Sequence, residues 1–490
     1  MTSTTSEPKT PRPVTYQELD ALFRPQSIAV VGASANERNR GHGFVKDLID
    51  FGFPGPIYPV NPRLDEMLGL KAYPRLEDIP GPVDFVISAV PASAILELVE
   101  GARVKGTRLL HLFTARFSET GREEEAELER ELDRRIRAAG IRLIGPNCMG
   151  LYCPTQKITF GADMPSEPGN IGFLTQSGSH AFRVLKSGGA RGLRFSKVVS
   201  YGNALDLNEA DFLDYFAEDP DTEIIAAYIE GVKEGRRFFG ALRRAAARKP
   251  VLVLKGGRSA AGHAAASSHT AALASQMTVW EAAVRQAGAL EVRTINGMLD
   301  LMVAFTNAGP ARGNRVGVMG GAGGGMVEAA DLCAEAGLEL PPPSDEMREA
   351  LREKLPHAWD WVGNPIDISI TGGGHSDTFM LLEMMAASPD FDAIIANVSG
   401  IEWALSRGDE EMFREMLDRA KNLGKDSGKA SMLVMGEPET RDTSIRNAVF
   451  EAREELAAAG VAIYPDIERA VESMGRYVRH LAEKGSGAAR

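Results

Sequence analysis

Cysteine is almost missing from this sequence. Only Cys148, Cys153 and Cys333 occur among 490 residues, with no CxxC pair, which excludes a disulfide-stapled fold and a thiolate-built metal site and suits a reducing compartment. Histidine is nearly as sparse. Eight scattered imidazoles are too few ligands for a histidine-based metal centre, so no metal is expected. Long apolar runs are lacking too: nowhere do 18 apolar residues follow one another, so no membrane-spanning helix is expected. The opening MTSTTSEPKTPRPV is polar and proline-rich with no apolar stretch behind it, unlike a signal peptide. Residues 1–19 read as a flexible lead-in to a cytoplasmic protein. Positive charge is in deficit as well. Lys plus Arg number 55 against 67 Asp plus Glu, a net charge of −12. That balance repels nucleic acid and anionic membrane surfaces, while a local site for a small anion stays open.

What remains has ordinary globular composition, 44% hydrophobic and 25% charged. The length exceeds the roughly 250–300 residues that one core fills, so several domains are expected. From residue 27 compact apolar runs alternate with helical patterns, the signature of parallel strands joined by crossover helices. SIAVVGAS, PIYPVNP, VDFVISAVP, TRLLHLFT and IRLIGPN form a Rossmann-like domain over 20–150. After the breaker MPSEPGN, the strands IGFLTQ, FSKVVSYGN, EIIAAYIEG and PVLVLKGG define a second domain over 165–305. After NAGPARGN, the runs RVGVMGGAGGG, AIIANVSG, SMLVMG and VAIYPD give a third over 312–482, with 483–490 as a flexible tail.

The first strand ends on glycine. In VVGASANERNRGHG, Gly32 permits close backbone approach and Ser34 offers a hydroxyl, a place where a helix start can hold an anion. The same residues also suit a plain βα turn, and the spacing is not GxGxxG. An NAD site wants an acidic residue at the end of the second strand. Here that strand ends in Val60, Asn61, Pro62 and Arg63, so NADP or coenzyme A fits better than NAD, while Arg63 reads equally as a solvated loop residue.

In the second domain IGFLT runs into Gln176, Ser177, Gly178 and Ser179 and then a helix. Small residues there leave the first N–H groups open to phosphate, and a Ser cap is equally a common way to start any helix. The stretch KGGRSAAGHAAASSHTAALASQM consists mostly of Ala, Ser, Gly and His, too few apolar anchors for core, and reads as a site loop. It contains His263 and His269, the latter between Ser268 and Thr270. A neutral imidazole can attack phosphorus if a second residue fixes its tautomer, and Glu230 at the end of EIIAAYIEG is placed to do so. A serine hydrolase would need GxSxG, which is absent.

In order, SIAVVGAS, VNP, ISAVPA, GPNCMG, TQSG, SYGN, YIEGVKEGRRF, KGGRS and SSHT resemble the α subunit of the NDP-forming acyl-CoA synthetases, the superfamily that includes succinyl-CoA synthetase. GNRVGVMGGAGGG, GNPIDIS and AIYPDIERAV look like the extra α/β domain of the ADP-forming acetyl-CoA synthetases. The resemblance implies an α/β chain, a Rossmann-like CoA-binding domain followed by two flavodoxin-like parallel-sheet domains. It also implies that Gly32, Ser34, Pro62, Arg63, Val90, Pro91 and Asn147 contact coenzyme A. His269 would carry the phosphoryl group, supported by Glu230, with Gln176, Ser177, Gly178, Ser179, Ser268 and Thr270 around the phosphate. The substrate is a small carboxylic acid. ATP or ADP with Mg would sit on a separate ATP-grasp β subunit, making a hetero-oligomer, because no ATP-grasp segment is visible here.

Three positions depart from the family pattern. Ala271 stands where glycine is usual, His180 where a small apolar residue is usual, and Arg116 where glycine commonly precedes the phenylalanine. They mark an unusual substrate or altered chemistry. His180 reads either as a plain helix residue or as a contact to a substrate carboxylate or phosphoryl group. Cys148, in GPNCMG, lies in a loop expected near the CoA thiol. A non-catalytic CoA-binding scaffold subunit and an NADP-dependent dehydrogenase are the alternatives.

Overall fold

The computed structural model describes residues 12–262, 277–321, 323–367, 369, 375–400, 402–438 and 440–488. The chain forms two compact units, one made of residues up to Lys186 with Arg194–Ile295, the other of Ser187–Leu193 with the chain from Asn296 on.

The first unit contains two sheets. Strands β1 (Ile28–Val31), β2 (Ile57–Val60), β5 (Phe85–Ser88), β6 (Leu109–Leu112) and β7 (Arg142–Ile144) pair in the order β2-β1-β5-β6-β7, all parallel. A hairpin, β3 (Glu66–Met67) with β4 (Leu70–Lys71), follows β2. The second sheet comprises β8 (Gly150–Tyr152), β9 (Pro168–Thr175), β10 (Phe195–Ser200), β11 (Ile224–Ile229), β12 (Val251–Lys255) and β13 (Leu290–Val292), in the order β13-β12-β11-β9-β10-β8. Only β8 runs antiparallel, against β10.

Set aside the antiparallel edge, and both sheets share one plan. The first strand lies in the middle, the second to one side, and the third, fourth and fifth to the other, a doubly wound arrangement whose connections leave in opposite directions beside the first strand. Every residue of β10 and β12 is buried, which explains why these strands read as continuous apolar runs rather than alternating ones.

Helices cover the faces. Helix α1 (Tyr16–Leu22) starts with a capping box between Thr15 and Glu18, buries Leu19, and receives on Asp20 a hydrogen bond from the Tyr215 hydroxyl at 2.9 Å. Residues 16–19, expected in the flexible lead-in, are therefore the first turn of a docked helix, because the Thr-x-x-Glu cap and a buried leucine fix them. Helices α2 (Arg40–Phe51), α3 (Ile95–Val104), α4 (Glu123–Ala139), α5 (Gly178–Gly189), α6 (Glu209–Glu218) and α7 (Gly235–Arg248) follow their strands.

The second unit carries four parallel strands in sequential order, β14 (Val316–Met319), β15 (Ala393–Asn397), β16 (Ala430–Val434) and β17 (Ile463–Tyr464). Its core packs Leu351, Leu382, Ile394, Leu417 and Leu433 together. By contacts the helix Ile295–Asn307 counts with this unit from Asn296 on. Within the unit the Asp300 carboxylate, 5% exposed, is held by Arg191 at 2.7 Å and twice by Arg469 at 2.7 Å. The last helix, Ile467–Ala488, runs past residue 483 instead of fraying there, since each residue added to an existing helix gains a hydrogen bond without a new nucleus.

One ion pair in the first unit is wholly buried. Lys197 of β10 reaches Asp219 at 2.9 Å, with side chains 2% and 0% exposed, and Thr222 donates to the same carboxylate at 2.6 Å. Breaking such a pair strands a charge in a low dielectric. Lys197→Met should destabilise this unit by about 3–5 kcal/mol, read as a lower denaturant midpoint, and adding Asp219→Asn should recover much of the loss.

Candidate active site

In the first sheet the chain reverses direction between β1 and β5, and the carboxyl ends of β1, β2 and β5 open onto a cavity of about 500 Å³. Gly32, Pro62, Arg63 and Val90 line it, as expected, joined by Arg75 and Glu97, which were not. Gly32 sits at φ +92°, and a Cβ there would lie 2.8 Å from the Ala89 carbonyl carbon and 3.1 Å from Val90. Only glycine lets the two strand ends approach this closely.

The anion role expected of this turn is not what the geometry offers. The Gly32 N–H donates to Val60 O at 3.0 Å, so it is not available to a ligand. The helix begins seven residues later than the glycine suggests, at Arg40, capped by the Asn39 side chain at 2.8 Å. Ser34 accepts from the Asn36 N–H at 3.1 Å and does not line the cavity; neither do Pro91 and Asn147. Two guanidinium groups line the cavity instead. Arg75 pairs with Glu77 at 3.2 Å and Glu97 at 3.8 Å, whereas Arg63 has no carboxylate partner among the described residues. A glycine-walled cleft with a free guanidinium fits a nucleotide bearing a phosphate beside its ribose.

The second sheet repeats the arrangement between β9 and β11. Gln176 leaves the end of β9 and accepts from the backbone N–H groups of Glu230 and Gly231, the latter at 3.0 Å, while its own amide donates to Gly231 O at 3.1 Å. Expected among the phosphate contacts, Gln176 instead spends its amide on the neighbouring strand's backbone and so is a positioning residue. It sets Glu230 beside the start of α5. There Ser177 and Ser179 hydroxyls lie 3.0 Å apart, and the Gly178 and Ser179 N–H groups have no partner among the described residues. Free N–H groups and paired hydroxyls at a helix start suit a phosphoryl group.

Three further residues surround Glu230. Tyr228, on β11 just before it, has its phenol raised well above the ordinary value by burial and then by the nearby Glu230 carboxylate. His180 packs edge-on against the Tyr228 ring with centroids 4.3 Å apart, and burial followed by nearby Arg183 lowers its imidazole. It is a half-buried residue of the first turn of α5. Lys255, 4% exposed, donates to Glu230 O at 2.6 Å and lies 5.7 Å from the Trp280 ring centre. Desolvation lowers its ammonium, partly opposed by Glu230.

The loop after β7 joins the two sites. Asn147, at φ +59°, donates its N–H to Thr114 O at 2.9 Å and its amide approaches Asn203 at 3.5 Å. Two residues on, Met149 packs so closely on the start of α5 that a Cβ at Gly178 would lie 2.8 Å from Met149 Cγ. Between them Cys148 is buried, and burial pushes its thiol well up. It points into the core, its Sγ 3.6 Å from Leu112 O, not toward a ligand. His111 supports the loop from below, its Nε2–H donating to Cys148 O at 3.1 Å, and burial lowers its imidazole to about 4.

Arg116 turns toward α4 and pairs with Glu125 at 3.3 Å, its side chain 67% exposed. His263, Ser268, His269, Thr270 and Ala271 lie outside the described residues. Among the described residues no cluster of three metal-ligating side chains occurs, and no helix is long and apolar enough to cross a membrane.

Residues 26–154 match the family described as "CoA binding domain", and residues 168–305 the "Succinyl-CoA ligase like flavodoxin domain". The chain is 37% identical over 378 residues to the acetate–CoA ligase [ADP-forming] II subunit alpha of Pyrococcus furiosus, covering 77% of this chain and 82% of that one. It is also 37% identical to acetate–CoA ligase [ADP-forming] I of Archaeoglobus fulgidus, spanning 54% of that longer protein. A solved structure of the dinucleotide-forming acetyl-coenzyme A synthetase 1 of Candidatus Korarchaeum cryptofilum, in complex with phosphate and ADP, superimposes with a TM-score of 0.79 at 31% identity, covering 95% of this chain and 97% of that one. The chain belongs to the NDP-forming acyl-CoA synthetases, a family of acid–thiol ligases, among the relatives of the ADP-forming acetate–CoA ligase α subunits. The dehydrogenase and scaffold alternatives are not favoured by these relatives.

Two consequences of burial are measurable. All three thiols are buried and raised, Cys333 to about 11, so none should react with a disulfide reagent at pH 8 until the protein is denatured. Glu209, at the first position of α6, is buried and pushed up to about 7, chiefly by desolvation. A carboxyl raised above its unfolded value of 4.5 withdraws stability as pH rises through that window. Glu209→Gln should therefore gain stability relative to the unsubstituted protein between about pH 4.5 and 7 and hold a constant advantage above, read as urea midpoints against pH.

Proposed function

We propose that this chain is the CoA-binding, histidine-phosphorylated subunit of an ADP-forming acyl-CoA synthetase, catalysing carboxylic acid + CoA + ATP to acyl-CoA + ADP + phosphate, reversibly. The observation that carries the reading is the meeting of two switch-point sites within one unit, where Met149 of the first sheet's loop touches Gly178 at the phosphate-ready helix start.

In this reading the cavity lined by Gly32, Arg63 and Val90 takes the nucleotide end of coenzyme A, with Arg63 on its ribose phosphate. The Asn147–Met149 loop then guides the thiol toward α5. The Gly178 and Ser179 N–H groups and the Ser177 and Ser179 hydroxyls stabilise the phosphoryl group as it passes between acyl phosphate and His269. Because phosphoryl transfer needs mainly positioning and local positive charge, helix starts suffice. Glu230 accepts the second ring N–H of His269 and holds its tautomer. Ser268 and Thr270 flank that imidazole at the phosphate.

An ATP-grasp β subunit completes the reaction, binding ATP or ADP with Mg and receiving the phosphoryl group in a hetero-oligomer. Support comes from the match to 82% of a relative that is itself named an α subunit, against 54% of a longer single-chain relative. A reducing cytoplasmic setting agrees with three unpaired, buried thiols. The domain limits follow the chemistry: 20–150 for CoA, 165–305 for the phosphohistidine loop and 312–482 for the third α/β domain.

With the partner present, His269→Ala should abolish both transfer of label from [γ-³²P]ATP to this chain and acyl-CoA formation. Full activity in that variant would sink the mechanism. Arg63→Ala should weaken CoA binding by about 10- to 100-fold, the worth of a charge-assisted hydrogen bond of about 1.5–3 kcal/mol. Calorimetry with dephospho-CoA should show a smaller loss.

A further inference from the structure

The wall of the cofactor cavity carries charge of both signs. Arg63 has no carboxylate partner among the described residues, whereas Glu77 and Glu97 share the guanidinium of Arg75 at 3.2 Å and 3.8 Å. Two carboxylates against one cation leave that stretch of wall negative. It is also fixed in place. Glu77 belongs to a short 3-10 turn, Leu76–Asp78, whose start is held by the Arg75 N–H donating to the Asp78 carboxylate at 3.1 Å. Leu76, 3% exposed, anchors the turn in the core that also buries Leu98 of α3. The Glu77 carboxylate rests against α3 where Gly101 leaves room for it: a Cβ there would lie 3.1 Å from Oε1 and 3.4 Å from Oε2. Arg75 donates to Oε1, so Oε2 is left to accept from a ligand. Leu76, Glu77, Leu98 and Gly101 all line the cavity.

A carboxylate in this cavity repels the phosphate that Arg63 attracts, so it meets a part of the ligand that bears no charge and donates a hydrogen bond. The nucleotide end of coenzyme A offers two such groups, the ribose hydroxyl and the exocyclic amine of adenine. The hydroxyl stays beside the ribose phosphate at Arg63. The amine remains for Glu77. We infer that Glu77 selects the base of the cofactor, its carboxylate accepting the exocyclic amine of an adenine seated on Leu76 and Leu98, with Arg75 and Gly101 holding that carboxylate in place. The inference rests on the coenzyme A placement proposed above. An apolar wall with one placed acceptor fixes both the seat and the identity of a planar ligand. Because the Glu77 side chain is 28% exposed, water replaces part of what a lost bond gives up. The discrimination is that of one hydrogen bond to a charged group rather than that of a sealed site.

The probe is the coenzyme A analogue with purine in place of adenine, which lacks only the exocyclic amine. Calorimetry on the full chain should show the analogue binding about 10- to 100-fold more weakly than coenzyme A. Glu77→Ala should weaken coenzyme A by a similar factor and leave the analogue's affinity as it was, so that the two ligands bind alike. Glu77→Gln, which keeps an acceptor without the charge, should discriminate to an intermediate degree. Equal binding of the two ligands by the unsubstituted chain overturns the role of Glu77. So does an equal loss of both in Glu77→Ala, which would mark a contact to the ribose or a purely structural side chain. If the unsubstituted chain binds neither ligand, the coenzyme A placement itself fails.

Discussion

The amide of Gln176 is the contact on which the second site depends. A doubly wound sheet opens a gap between its first and third strands, because the chain leaves them toward opposite faces. Nothing in strand pairing alone holds the two departing segments in register once the ladder ends. Gln176 extends the ladder by one side chain, taking the N–H groups of Glu230 and Gly231 and returning its own to Gly231 O. The helix start that offers N–H groups to an anion and the strand end that offers a carboxylate thus become one rigid piece. In a reaction whose catalysis is mostly placement, such rigidity counts for more than any added charge.

That constraint also explains how an acidic protein can hold a polyanion. The net charge of −12 acts over the whole surface and is screened within about a Debye length. The sites act over hydrogen-bond distances. Arg63 lacks a carboxylate partner among the described residues while Arg75 beside it is shared between Glu77 and Glu97, so the first cavity offers one uncommitted cation rather than a basic field. At α5 the positive end of a helix serves the same purpose with no cation at all.

Much of this was legible in the sequence, and the failures have physical causes. Each strand of the three sheets that carries a long apolar run was readable, because burial on both faces leaves no polar alternation to confuse it. The short β3, β4, β8 and β13 were not, having two or three residues each and no periodicity to detect. At Gly32 the need for a glycine was legible and the direction of its N–H was not. Sequence shows that a glycine is needed, but not whether its N–H faces a ligand or, as here, Val60 O. Gln176 and Glu230 were found as neighbours of a site, but the ring contact of His180 with Tyr228 was not, because a tyrosine inside an apolar strand reads as core and only the fold brings the two rings together.

The two sites are also joined by a continuous path of strand ends, and this bears on how coenzyme A and phosphate chemistry meet. Val90, on the cofactor cavity, accepts from the Thr114 hydroxyl at 2.6 Å, and Thr114 O accepts from the Asn147 N–H at 2.9 Å. The Met149 N–H donates to the Ser200 hydroxyl at 3.1 Å, and Ser200 pairs in register with Thr175, the last residue of β9 before Gln176. Each link is a backbone group or a buried hydroxyl at the end of a buried strand. Loss of one methylene of alignment between thiol and acyl phosphate would exceed the tolerance of a near-attack geometry. Carrying the path through these hydrogen bonds beside the ends of buried strands links the two sheets of one compact unit.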